Sequence, residues 1–353
     1  MQHLFGKTKE EIQLICEELG CKRFVANQIC DWIYKKNVAS VMDMINISKT
    51  IRENLSNLYD VCLTPYSKEV ISQDGTRKYL FEYADNVLIE AVLIFDNLRT
   101  TLCISSQAGC KMNCAFCATG HMGFVRDLTS YEILNIYQTL NNRLAQIHLP
   151  KQPSDTTLSI NNIVFMGMGE PLDNFEEVDK VIQILTNEWG YALSPRRITI
   201  STCGYMPKMK ELLEKTNVDV AISLHNAISE ERKELMPIEK AYPIEEVINL
   251  LKQYDWTKTR HLTFEYLVLK GCNHSSQHVN ALSRLLNGLK CRINLIGFNA
   301  ISDSPFRKVE KEEMELFSQK LKQKGFIVTI RQSKGEDISA ACGLLATKNS
   351  KKK

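Results

Sequence analysis

The sequence predicts an α/β protein: six strand–helix units, preceded by a small helical domain and a short β extension. Three observations carry that prediction. Across the first ~60 residues apolar side chains recur at helical spacing. Between Glu69 and Phe95 the period shortens to two, as in half-buried strands. From Thr100 onward short apolar runs alternate six times with amphipathic stretches, the pattern of βα units with helices outside a parallel sheet. An open or partial (β/α) barrel and a doubly wound sheet both fit this alternation. In either one, reactive residues belong at the carboxyl ends of strands.

In the helical domain, Lys9 to Leu19 carries Ile12, Ile15 and Leu19 on one face, with Gly20 as its stop. Phe24 to Tyr34 does the same with Val25, Ile29 and Ile33. In the β extension Tyr79, Phe81 and Tyr83 alternate, Val87 to Phe95 is rich in apolar residues, and Asp74-Gly75 and Asp85-Asn86 mark turns. The expected barrel strands are Leu102–Ser105, Ile163–Met166, Ile198–Ser201, Val218–Leu224, Leu262–Leu269 and Ile293–Phe298. The expected helices are Tyr131–Leu144, Glu176–Trp189, Met206–Lys215, Ile244–Tyr254, Val279–Leu289 and Glu310–Lys324. Thr129 and Glu132 form a capping box at the first of these. A last strand, Phe326–Ile330, leads into a polar loop that holds Cys342. The expected division is 1–62 for the helical domain, 63–98 for the β extension and linker, 99–346 for the barrel with its cysteine loop, and 347–353 for a disordered basic tail.

The composition is that of a soluble globular protein, 44% hydrophobic and 24% charged over 353 residues. No apolar run approaches the ~18 residues that span a bilayer, and Met1 to Gly6 do not begin a signal peptide, so a cytoplasmic protein off the membrane is expected. The net charge of +3, from 44 basic and 41 acidic residues, neither demands nor excludes a nucleic-acid partner. Twelve cysteines is a high number for a reducing compartment, where metal binding or redox chemistry is a better reading of a cluster than disulfides. Cys16, Cys21, Cys30, Cys62, Cys203, Cys272 and Cys291 are scattered and read as packing residues. Cys103, Cys110, Cys114, Cys117 and Cys342 remain.

Cys110, Cys114 and Cys117 form a CxxxCxxC run just after the first barrel strand. No fourth cysteine follows at zinc-finger spacing, although His121 leaves a Cys₃His zinc site as an alternative. Three thiolates suit a [4Fe–4S] cluster with one iron open to a ligand. The run, with Phe116 before its last cysteine, resembles the signature of the radical S-adenosylmethionine (SAM) superfamily. That resemblance implies SAM bound at the open iron and cleaved to a 5′-deoxyadenosyl radical. Gly167-Met168-Gly169-Glu170-Pro171 ends the second strand and is similar to the loop that receives the methionyl amino group of SAM. Gly169, Glu170, Ser201, the Ser223-Leu224-His225 segment and Asn299 all lie at strand ends and are the candidate SAM contacts.

Wider stretches narrow the resemblance. Thr101 to Cys110, Cys114 to Gly120, Asp74 to Lys78 and Gly335 to Gly343 resemble the RlmN/Cfr family of RNA methyltransferases, over nearly the whole chain. The resemblance implies a partial (β/α)6 radical SAM barrel and methylation of an adenine carbon through a protein-bound methyl group. It implies that Cys342 takes a methyl group from one SAM and, after a second SAM has provided the radical, carries a thiomethylene radical to the base. It further implies that Cys103 resolves the adduct by forming a disulfide with Cys342, and that Glu90 accepts the proton. The motifs are closer to RlmN, which implies C2 of an adenosine in 23S rRNA and of the tRNA adenosine beside the anticodon. C8 methylation, a radical SAM enzyme acting on a non-RNA substrate and a zinc-stabilised RNA-binding protein are the alternatives. An electron donor such as flavodoxin and a monomeric state are expected. Lys22, Arg23, Lys35, Lys36, Arg126, Arg196 and Arg197 are the candidate phosphate contacts.

Overall fold

The structure is a computed structural model that describes residues 2–96, 99–147, 158–301 and 304–345; the expected tail at 347–353 lies outside them. The chain opens with β1 (Gln2–His3), followed by α1 (Lys9–Glu18), α2 (Val25–Cys30), α3 (Lys49–Leu58) and β2 (Tyr59–Asp60), which pairs in parallel with β1. Helix α1 starts where Thr8 and Glu11 cap one another, Thr8 N–H donating to Glu11 Oε2 at 2.8 Å. It stops at Gly20, with Cys21 N–H returning to the Cys16 carbonyl at 2.8 Å. The buried face of this module joins the main core: Tyr34 packs against Trp189 and Tyr191, and Phe5 against Tyr131.

Next comes a meander of β3 (Tyr66–Ile71), β4 (Arg77–Glu82) and β5 (Leu88–Asp96), followed by β6 (Arg99–Cys103). A short hairpin, β7 (Gln107–Gly109) and β8 (Phe124–Asp127), frames α4 (Ala118–His121). The repeating units follow: α5 (Ser130–Leu144), β9 (Asn162–Phe165), α6 (Phe175–Thr186), β10 (Ile198–Thr202), α7 (Met206–Lys215) and β11 (Asp219–Ser223). Then come α8 (Ser229–Leu235), α9 (Ile244–Leu251), β12 (Leu262–Val268), α10 (Ser276–Leu285), β13 (Arg292–Gly297), α11 (Lys311–Gln323) and β14 (Ile327–Arg331). Helices α3, α4 and α8 and the short strands β1, β2, β7 and β8 were not expected; the other helices and strands fall where the sequence periodicity put them, within a few residues.

One ten-stranded sheet holds them in the order β14-β13-β12-β11-β10-β9-β6-β5-β4-β3. From β6 to β14 the strands are parallel and in chain order. A doubly wound sheet needs a reversal of that order, and none occurs. Right-handed crossovers in one direction place every crossover helix on one face, which gives the barrel type. Among the described residues β14 and β3 remain edges, so the barrel is partial. Strands β3, β4 and β5 continue the same sheet antiparallel through the β5–β6 pair. Strand alternation sends Ile200, Ile222, Phe264 and Leu295 into the main core with Leu212, Ile248, Leu282 and Phe317 of the helices. It leaves Ser201, Ser223 and Glu265 on the inner face. No helix among the described residues is long and apolar enough to cross a membrane.

Two sets of polar contacts fix the carboxyl end of the barrel. On α8, the fully buried Arg232 donates from Nε to Leu224 O at 3.0 Å and from Nη2 to Cys203 O and Ser223 O, both at 2.9 Å. Its Nη1 pairs with Glu239, also buried, which in turn accepts from Ser229 Oγ and Ile244 N–H. One guanidinium thus ties the exits of β10 and β11 together. The second set holds the loop after β14. Asp74 Oδ2 accepts from Gly335 N–H at 3.0 Å, and Asp337 accepts from Ser72 Oγ at 2.5 Å and Gln73 N–H at 3.1 Å. The approach is so close that a Cβ on Gly335, at φ +65, would lie 2.9 Å from Thr76 Cγ2.

Breaking a buried pair from one side leaves an uncompensated charge and costs about 3–5 kcal/mol. Arg232→Met is therefore expected to lower the thermal midpoint sharply, and Arg232→Met with Glu239→Gln to recover part of the loss, as read by calorimetry. Burial pushes the Asp74 carboxyl up, but its hydrogen bonds from Thr76 and Gly335 outweigh that and hold it at about 2. A carboxyl lowered in this way stabilises the clasp above its usual range, and the effect fades as pH falls toward 2. Asp74→Asn at neutral pH is expected to raise the rate of limited tryptic cleavage after Lys334 several-fold.

Candidate active site

The carboxyl ends of β9 through β14 surround a cavity of about 1050 Å³, open mouth included. Cys110, Cys114 and Cys117 line it from the loop between β7 and β8. That loop is braced from three sides. Cys110 N–H donates to Gly123 O at 3.1 Å, Ala115 N–H to Leu235 O on α8 at 2.9 Å, and Ala118 N–H to Gly343 O at 2.8 Å. Lys111 pairs with Asp173 at 2.8 Å and lies 4.2 Å over the Phe124 ring. Burial pushes all three thiols up, Cys110 to about 12, with Cys117 raising Cys110 and both of these raising Cys114 further. Three thiols on one loop whose ionisation burial opposes form a donor set suited to a cationic centre, which removes that opposition. Among the described residues no three His, Cys, Asp or Glu side chains are gathered around one ion position. His121 is exposed and does not line the cavity, so the Cys₃His zinc arrangement is not assembled.

The turn after β9 places Gly169 at φ +100, with Gln107 so near that a Cβ would fall 2.5 Å from that side chain. Glu170 lines the cavity and also joins two strand exits. Its Oε2 accepts from Cys203 N–H at 2.9 Å, its Oε1 from Leu172 N–H at 3.1 Å, and its own N–H donates to Gln107 Oε1 at 2.8 Å. Burial raises its carboxyl, and the Cys203 N–H pulls it back. Ser201 and Ser223 line the inner face of β10 and β11. The Leu224 side chain is in the main core, so only its backbone serves the site, its N–H donating to Glu265 O at 3.0 Å. His225, at φ +56, accepts on Nδ1 from Leu267 N–H at 3.0 Å, which leaves the ring proton on Nε2. Burial and Arg232 push its imidazolium down to about 3, so the ring is neutral. It meets the Phe116 ring edge-on at 4.7 Å.

Asn299 donates to the Cys342 carbonyl at 3.3 Å and accepts from Ser333 Oγ at 3.0 Å. Cys342 itself is exposed and lines the cavity. Cys103 does not line it. It is buried at the end of β6 with Val92, Val164, Met168, Ala340 and Leu345, close enough to Cys342 to feel it. Burial, then Cys342, push the Cys103 thiol up to about 12, against Arg331. Glu90 also stands outside the lining, buried on β5. Its neighbour on the same face, Val92, is the cross-strand partner of Cys103, so Glu90 and Cys103 share one face of the sheet.

Two residues that the sequence did not single out complete the site. Arg331 lines the cavity from the end of β14, where Cys342, then Glu265 and Cys103, push its guanidinium up against burial. Glu265 lines it from β12, accepting from Asn294 Nδ2 at 3.0 Å on Oε1, while its Oε2 is buried with no hydrogen-bond partner. An acid inside the otherwise apolar Leu262–Val268 run was the available signal. Of the basic candidates, Lys22, Arg23, Lys35 and Lys36 are exposed on the helical module. Arg126 is instead committed to Asp85 and to Glu132 at 2.5 and 2.7 Å. Arg196 and Arg197 precede β10, at the amino end of the barrel and away from the cavity.

Residues 2–61 match the ribosomal RNA large subunit methyltransferase N-terminal domain, and residues 104–281 match the radical SAM superfamily. The chain is 45% identical over 346 residues to a probable dual-specificity RNA methyltransferase RlmN of Parabacteroides distasonis, covering 98% of this chain and 97% of that protein. It is 41% identical to the dual-specificity RNA methyltransferase RlmN of Nitratiruptor, covering 99% of each. A radical SAM methyltransferase from Sphaerobacter thermophilus has the same fold, with a TM-score of 0.87, 36% identity and coverage of 98% of this chain and 99% of that one. A barrel of this kind, with a three-cysteine loop at its mouth and that N-terminal module, places the chain in the RlmN family of the radical SAM superfamily.

Proposed function

We propose that this protein is a radical SAM methyltransferase that adds a methyl group to C2 of an adenosine in 23S rRNA and of the tRNA adenosine beside the anticodon. The observation that carries the reading is Cys342: a thiol on a clasped loop, lining the same cavity as the three-cysteine loop, with Cys103 buried beside it. Membership in the superfamily implies a [4Fe–4S] cluster and SAM. The residues fit both. Cys110, Cys114 and Cys117 would hold the cluster through three irons. The Gly169–Glu170 turn, Ser201, Ser223, His225 and Asn299 would hold SAM, and the orphan Oε2 of Glu265 calls for a donor from a ligand. When bound, the group supplies an electron, a methyl group and an acceptor for a hydrogen atom.

The chain's own residues do the rest. Cys342 takes the methyl group on sulfur and, in a second event, gives up one of its hydrogen atoms, so two SAM are used per turnover. The resulting sulfur-bound carbon radical adds to the adenine carbon, which is too electron-poor to attack a methyl donor itself. The adduct would give up one electron, for which the group held by Cys110, Cys114 and Cys117 would be the acceptor, and Glu90 accepts the proton of the adenine carbon. Cys103 then attacks the Cys342 sulfur as a thiolate; the S–S bond forms as the S–C bond breaks, and the electron pair leaves with the carbon, which takes up a proton from solvent to become the new methyl group. The adenine must be unstacked to reach the cavity. Lys22, Arg23 and Lys35 are exposed candidates to meet phosphate, and Lys36 would have to leave Asp31, 3.0 Å away, to join them. An RNA substrate supports work in the cytoplasm, by a monomer served by a low-potential donor of the flavodoxin kind.

Anaerobic incubation of cluster-loaded protein with 23S rRNA or tRNA, SAM and reductant is expected to give 2-methyladenosine on nucleoside mass spectrometry. 8-Methyladenosine would move the reading to C8, and SAM cleavage without methylated adenosine would overturn an RNA substrate. Cys342→Ala is expected to abolish product, and Cys103→Ala to leave a covalent protein–RNA adduct visible on a denaturing gel. Because the Cys103 thiol is held up at about 12, its thiolate fraction grows about tenfold per pH unit below that value. Resolution of a preformed adduct is therefore expected to speed up steeply between pH 7 and 9, as followed by gel.

A further inference from the structure

Lys78, the last residue of the Asp74 to Lys78 segment, has no part in the proposed chemistry so far. Lys78, on β4, places its ammonium 3.0 Å from Glu90 Oε1 and 3.2 Å from the carbonyl oxygen of Ser339. Both side chains of the ion pair are largely covered, 17% and 8% exposed. The sheet register explains the meeting. Lys78 pairs with Val92 and Leu80 with Glu90, so Lys78 and Glu90 are diagonal neighbours on one face. Val92 in turn pairs with Cys103. Lys78, Val92 and Cys103 thus form one row across three strands, with Glu90 beside it. Ser339 lies three residues before Cys342, at φ +52, a backbone conformation that a non-glycine residue adopts only where its surroundings enforce it.

We propose that Lys78 is a positioning residue that holds the proton acceptor and the methyl-bearing loop in one fixed relation. A carboxylate buried to this degree needs a partner to stay charged, and the ammonium is a partner seen in the structure. The same ammonium fixes the Ser339 carbonyl, and with it the turn that presents Cys342. Movement of the loop therefore changes the surroundings of Glu90, and the acceptor and the methylene carbon reach the same adenine carbon together. The inference rests on the methyltransferase reading and assigns to Lys78 a role in the step after the base has been joined, not in loading the methyl group.

The test is single-turnover analysis of Lys78→Met, Lys78→Arg, Glu90→Gln and the Lys78→Met/Glu90→Gln double variant, as cluster-loaded proteins beside the wild type. Peptide mass spectrometry reads methylation of Cys342, and a denaturing gel reads the protein–RNA adduct. Lys78→Met is expected to load Cys342 to the wild-type level, to accumulate adduct and to release product at least tenfold more slowly. Lys78→Arg is expected to restore most of the rate, and the double variant to be no slower than Glu90→Gln, because the lysine acts through that carboxylate. Wild-type product release by Lys78→Met would overturn the proposal. So would loss of Cys342 methylation in that variant, which would leave the lysine a loop anchor alone, or a double variant slower than Glu90→Gln. Absence of product from the wild type itself would mark failure of the methyltransferase reading, and the inference would fall with it.

Discussion

The buried guanidinium of Arg232 is the contact on which the mouth of this barrel depends. Parallel strands end with carbonyls that have no further strand to bond, and a cavity placed there would expose them to an apolar interior. Arg232 answers three such carbonyls at once, on two strands, and is itself neutralised by Glu239. The helix that carries it, α8, also supplies the Leu235 carbonyl to Ala115 of the three-cysteine loop. One short helix therefore sets the spacing between strand exits and cysteines. The charge of Arg232 is felt at His225 and Cys114 as well, pushing the former's imidazolium down and easing the latter's rise. The neutral ring of His225 and the geometry around it follow from the same placement.

The opposite wall is built on another principle. The loop after β14 brings Cys342 into the cavity, and polar contacts share in its hold on the barrel with the buried Ala340 and Leu345: Asp74, Ser72 and Lys78 on the β extension, Asn299 at the end of β13, Ala118 beside the cysteine loop. Polar contacts near the surface contribute less individually than apolar burial and are exchanged for water at little cost. Contacts of this kind hold the loop without the helix packing that covers the outer faces of the strands. This gives the β extension a purpose. It lengthens the barrel sheet by three strands and so carries a docking edge to the loop.

Much of this was legible in the sequence, because the relevant signals are local. CxxxCxxC is contiguous, and Gly169, Ser201, Ser223, His225 and Asn299 each follow a recognisable strand. Other features were not legible, for physical reasons. Arg232 sits in the run Ser-Glu-Glu-Arg-Lys-Glu-Leu, which reads as a solvated helix; its burial depends on where Glu239 falls after the turn. Glu265 and Arg331 matter because they point inward, and the sequence does not say which face of a buried parallel strand is the inner one. The clasp joins residues 261 and 265 positions apart, beyond the reach of any periodicity. Arg126, Arg196 and Arg197 were candidates on charge alone; the first spends its charge on two carboxylates, and the other two face the wrong end.

The two extra cysteines differ in a way that suits the order of the proposed chemistry. Cys342 is exposed on a loop that polar contacts hold, where a methyl donor in the cavity could reach it. Cys103 is enclosed by Val92, Val164, Met168, Ala340 and Leu345, and its thiol is kept protonated. A protonated thiol does not attack sulfur, so on this reading a disulfide does not form before the base has been joined. Two of the residues that enclose Cys103, Ala340 and Leu345, belong to the same loop as Cys342. A shift of the loop toward substrate would also loosen the cover over Cys103 and change its distance from Arg331, the charge that opposes the rise of its thiol. The timing of resolution would then follow from the position of the loop, with no separate device needed to activate the second cysteine.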